Sequence, residues 1–136
     1  MNAVAQPGLS ESLKRIAQHE ARQIMQDVDG VQAAVFSTVD GFDIASAIRP
    51  GFDASRIAAL ASSIAAIGDV VAKEAHLGSS KSVTVDTTSG VAMIFTVRRR
   101  DVGIVMIVVA DKRALFGQIA YRMAASARLL ADDSMP

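Results

Sequence analysis

Histidine, arginine and paired carboxylates are the side chains of this sequence with a capacity for chemistry, so their spacing comes first. The chain has two histidines, His19 and His76, and no cysteine. Without thiols there are no disulfides, thiolate nucleophiles, iron–sulfur clusters or cysteine-held zinc sites. Neither histidine has a carboxylate or second histidine at a spacing suited to a metal, so both read as surface residues. Asp40 with Asp43, and Asp132 with Asp133, are carboxylate pairs, the first in a turn and the second in a terminal tail. No nucleophile-elbow motif accompanies them.

Gly78-Ser79-Ser80-Lys81-Ser82 has the composition of a phosphate loop. It leaves a helix and enters a strand, however, the reverse of the order that aims backbone amides at a phosphate. It reads as a connector. The run Arg98-Arg99-Arg100 admits two readings. An arginine inserted into a phosphoryl-transfer site can stabilise charge developing on the phosphates. A solvated hairpin tip that discourages edge-to-edge aggregation is the favoured reading, because the run lies apart from the interface helix described below. No catalytic residue, cofactor or metal is expected, and the chain reads as a non-enzyme.

The 136 residues suit one domain, and a hydrophobic content of 51% is enough to build its core. Lys+Arg and Asp+Glu each number 14, for a formal net charge of zero. That balance lacks the electrostatic footprint of a nucleic-acid binder and offers little self-repulsion to oppose self-association. The longest unbroken apolar stretch, Ile104 to Ala110, falls far short of the ~20 residues of a membrane-spanning helix, so no membrane insertion is expected. Met1 to Gly8 has no cationic cluster before an apolar run, so the expected location is cytoplasmic. Residues 1–8 and 132–136 read as flexible tails around a single domain over 9–131.

The elements follow from periodicity and breakers. Leu9, Leu13, Ile16, Ala17, Ile24 and Val28 recur at helical spacing after Ser10, a capping residue, and Asp29-Gly30 stops that helix. Val31 to Thr38 reads as a strand, Asp40-Gly41 as a two-residue type I′ turn, and Phe42 to Ile48 as its partner. Asp53 caps a second helix that runs to about Ala75 and is stopped by Gly78. Three strands follow, over 82–87, 91–97 and 102–109, and then a last helix capped by Asp111 with Leu115, Ile119, Met123, Ala127 and Leu130 buried. Ile104 to Val109 is apolar on both faces, so the sheet must be covered on both sides. The expected fold is α+β, a three-layer sandwich of one five-stranded antiparallel sheet in the order αββαβββα. Ser82, Thr84 and Asp86 alternate with Val83 and Val85, which marks the third strand as an edge.

The second helix is apolar on two sides. Ile57, Leu60, Ala61, Ile64, Gly68 and Val71 form one stripe, the expected core face. The opposite face carries Ala59, Ser62, Ser63, Ala66 and Val70, with Lys73 near the end, where a solvated face would carry charges. Small side chains there would let a partner helix approach closely. With the edge strand Ser82-Val83-Thr84-Val85-Asp86 beside it, a two-fold dimer is the expected assembly.

Several local features, taken in order, resemble the bacterial form of the Roadblock/dynein-light-chain family. They are Gly30-Val31 entering the first strand, Val39-Asp40-Gly41-Phe42 at the hairpin, and the Ala/Ser-rich helix after Asp53. The apolar fifth strand running into Ala110-Asp111, and Ala120-Tyr121-Arg122-Met123 in the last helix, complete the set. The resemblance spans roughly Leu9 to Leu130. It implies a non-enzymatic homodimer built through the second helix and third strand, joining two sheets into one. It also implies a regulatory role beside a small Ras-like GTPase. Two other functions compete with it, an architectural dimerisation module in a signalling complex and a small-molecule sensor.

Overall fold

The computed structural model describes residues 10–131. Leu9 and both expected tails, 1–8 and 132–136, lie outside the described residues. The elements are α1 (Glu11–Asp27), β1 (Val31–Thr38), β2 (Asp43–Ile48), α2 (Ala54–Glu74), β3 (Ser82–Asp86), β4 (Gly90–Val97), β5 (Ile104–Asp111) and α3 (Phe116–Ala131). The five strands form one antiparallel sheet in the order β2-β1-β5-β4-β3, the expected architecture.

Strand alternation divides the core between the two faces of the sheet. Phe36, Met93, Ile104, Met106 and Val108 pack with Leu13, Ala17 and Ile24 of α1 and Ile119, Met123 and Leu130 of α3. Val35, Ile94, Val105 and Ile107 pack with Ala58, Ala61 and Ala65 of α2. Two helices thus cover one face and a single helix covers the other. β3 is an edge strand, as the alternation of its residues implies.

Three local expectations are corrected. The β1–β2 turn is not type I′, because among the described residues only Gly41 of the pair has a positive φ, at 94°. Gly41 N–H donates to Thr38 O at 3.0 Å and Thr38 N–H to Phe42 O at 2.9 Å, which makes a three-residue loop with glycine in the left-handed position. Asp111 does not cap α3. Its carboxylate accepts from Arg113 N at 2.9 Å inside the preceding turn, and the helix begins beyond it at Phe116. Leu115 is therefore exposed instead of buried.

The stop of α2 also differs. Leu77 N–H donates to Ala72 O at 2.7 Å and His76 N–H to Lys73 O at 3.1 Å, the paired bonds of a Schellman motif. The left-handed residue of that motif is His76, at φ 59°, and Gly78 lies beyond it.

Candidate functional site

Asp53 caps α2 by accepting from Ser55 N and Arg56 N, and the helix then crosses the sheet. Its sheet-facing side is made of alanine: Ala58, Ala61, Ala65 and Ala72 are the buried residues. Small side chains let the helix lie close to the sheet, and the larger ones are displaced to its flank. The stripe expected to be core is consequently turned outward in part. Leu60 is 55% exposed, Ile67 63%, Val70 65% and Val71 59%. Leu60, Ile64, Ile67 and Val71 follow one another at the alternating spacing of a helix–helix seam. Sequence reasoning assigned Leu60, Ile64 and Val71 to the core and passed over Ile67.

Ala59, Ser63, Ala66, Val70 and Lys73 of the expected outer face are exposed. Ser62 is not part of that free surface, because its hydroxyl donates to Val39 O in the β1–β2 loop. Gly41 approaches there too, with space for a Cβ only 3.4 Å from the Ala59 Cα.

Of β3, Ser82, Thr84, Val85 and Asp86 are exposed and Val83 is half-buried beneath α2. A Cβ on Gly68 would stand 2.7 Å from Val83 Cγ2, so the glycine is what admits this contact. The flank of α2 and the start of β3 enclose an apolar groove of about 760 Å³, lined by Ile64, Ile67, Val71, Leu77 and Val83 among others. The structure thus brings the two proposed interface segments together. Thr96 N–H donates to Lys81 O and Thr87 N–H to Gly90 O, so Lys81, Val83, Val85 and Thr87 turn their backbone groups toward β4. The backbone groups of Ser82, Thr84 and Asp86 therefore face the open edge.

Side-chain ties fix the segment that leads into β3. Asp69 accepts from Ser80 N at 3.0 Å and from Arg98 at 3.1 Å. The Ser80 amide and then the Arg98 charge hold its carboxyl below the usual range. The amide a phosphate would need is thus already given to a carboxylate. Arg99 is nearly buried, pairs with Asp101 at 2.7 Å, and donates to Leu130 O at the end of α3. That pairing, with a smaller contribution from the Val102 amide, lowers the Asp101 carboxyl to about 2. Arg99 is therefore a structural tie and not part of a solvated tip, whereas Arg98 and Arg100 are exposed as expected, Arg98 reaching Asp69 across the surface.

His19 and His76 are both exposed. Among the described residues no three metal-capable side chains converge. By length and composition α2 could cross a membrane, but its alanine face is occupied by the sheet. Sequence reasoning also missed a polar cluster on the opposite side of the sheet. Glu20 of α1, buried, accepts from Ser126 Oγ at 2.6 Å and from Arg122 at 3.1 Å, both on α3.

No family model matches the chain, and no match is found among the curated proteins. Solved structures do match it. A Roadblock/LC7 domain from Streptomyces avermitilis has a TM-score of 0.75 at 22% identity, covering 83% of this chain and 92% of that one. The gliding protein MglB from Thermus thermophilus has a TM-score of 0.78 at 14% identity, covering 93% and 96%. MglB from Myxococcus xanthus has a TM-score of 0.74 at 15% identity, covering 95% and 92%.

Proposed function

The chain has the Roadblock/LC7 fold, and we propose that it works as a homodimeric, non-enzymatic regulator of a small Ras-like GTPase in the cytoplasm. One observation carries the dimer: the exposed apolar row of α2 lies beside an unpaired strand edge on the same side of the molecule. A helix that presents leucine, isoleucine and valine to solvent lowers its free energy by covering them with a second copy. The outward backbone groups of Ser82, Thr84 and Asp86 would pair with those of the partner's β3 in the same step. One of the similar solved structures is described as MglB with a tetrameric arrangement, which fits a fold that self-associates.

The GTPase partner rests on the resemblance in the hairpin, the second helix and the fifth strand, carried by the shared fold. The ties of Arg98 to Asp69 and of Arg99 to Asp101 favour binding or tethering over an arginine supplied to the phosphates. The test is capture of a GTPase by the immobilised chain from extract loaded with GTP or with GDP. Nucleotide-dependent capture supports regulation, and equal capture in both states supports an architectural module. Recovery of no GTPase in either state contradicts the partnership.

A further inference from the structure

The sheet has two edges, β2 and β3, and they differ at their middle residues. Arg49 N–H donates to Gln32 O, which sets the alternation along β2 so that Ala45 and Ala47 turn toward β1 and Ser46 turns away from it. Ser46 is thus the outward-facing residue at the middle of the β2 edge. Both of its backbone groups are taken by one side chain of α1. The Gln18 amide nitrogen donates to Ser46 O at 2.7 Å, and Gln18 Oε1 accepts from Ser46 N at 3.2 Å. The carboxamide gives Ser46 one donor and one acceptor, as a neighbouring strand would, so it stands in for that strand at this residue. On β3 the outward carbonyl of Ser82 accepts from Ser80 Oγ at 3.5 Å, but among the described residues no side chain bonds the backbone of Thr84.

We infer that Gln18 seals the β2 edge against strand addition by a second copy of this chain, and so makes self-association stop at a closed pair. The inference rests on the dimer reading, in which the β3 edges join. With both edges open, each copy could accept a neighbour on either side, and a non-closing contact of that kind builds filaments.

The test is Gln18→Ala, read by sedimentation across low to high micromolar concentration and by amide exchange. The expected result is species larger than two copies that grow with concentration. At dilution, the Ser46 amide should exchange about tenfold faster while Ala45 and Ala47 keep their protection. A second variant separates edge opening from misfolding. In Gln18→Ala with Ser46→Pro, the outward N–H is gone but no bond to β1 is lost, so the size should return to that of the unaltered chain. Persistence of the large species in the double variant would overturn the inference, as would an unchanged size in Gln18→Ala. The two readings fail separately. An unaltered chain that sediments as a monomer contradicts the β3 dimer, yet Gln18→Ala should still take that monomer to a pair through β2.

Discussion

Arg122 of α3 reaches two carboxylates of α1, Glu20 Oε1 and Asp27 Oδ2, each at 3.1 Å. Ser126 completes the cluster, accepting from Arg122 and donating to Glu20. The arrangement satisfies a carboxylate that the apolar layer between helices and sheet would otherwise penalise. Arg122→Ala should therefore cost about 3 kcal/mol in urea unfolding, because it leaves Glu20 charged and buried. A loss no larger than that of an exposed substitution would show the cluster to be solvated. The sequence carried a signal for this. Glu20 falls on the same helical face as Leu13, Ala17 and Ile24, and a lone carboxylate within an apolar stripe calls for a cation from elsewhere. Its partner lies 102 residues away, and helical periodicity contains no information about that distance.

At the scale of elements, the strands were legible because alternation and runs of valine and isoleucine leave few choices. β1 begins and ends at the residues expected, Val31 and Thr38. Turns and caps were less legible, since one dipeptide suits several geometries. Asp40-Gly41 fits a type I′ turn and also the longer loop that forms, and only the pairing of Thr38 with Phe42 decides between them. The end of α2 is similar. His76 occupies a left-handed position that glycine adopts without steric cost, so the Schellman motif here holds a strained residue. His76→Gly should stabilise the fold by roughly 1 kcal/mol, seen as a rise in Tm with unchanged helix content. A fall in Tm would mean that the histidine side chain makes a contribution larger than its backbone strain. The orientation of α2 was read only in part. Hydrophobicity alone places Leu60 and Val71 inward, whereas close packing on a sheet selects by size and takes the alanines.

For the whole molecule, the decisive feature is an asymmetry between its two sides. At one edge Gln18 bonds both backbone groups of Ser46, in the middle of β2. At the other, β3 is open and the apolar row of α2 overhangs it, with a groove of about 760 Å³ between them. The sequence showed that α2 carries apolar residues on two faces. It did not show which face was left over, because that depends on where the sheet lies beneath the helix. Fully covering one leucine, isoleucine or valine contributes ~1.5–3 kcal/mol, and a two-fold axis counts each residue twice. Ile67→Glu should then weaken the dimer by about 100-fold or more while leaving the fold intact, since Ile67 faces solvent in the single chain.

Sedimentation equilibrium of the unaltered chain beside Ile67→Glu tests the dimer most directly. Two copies are expected at micromolar concentration for the unaltered chain and one copy for the variant, with matching circular dichroism. A monomer in both, or a dimer that Ile67→Glu leaves unchanged, would contradict it.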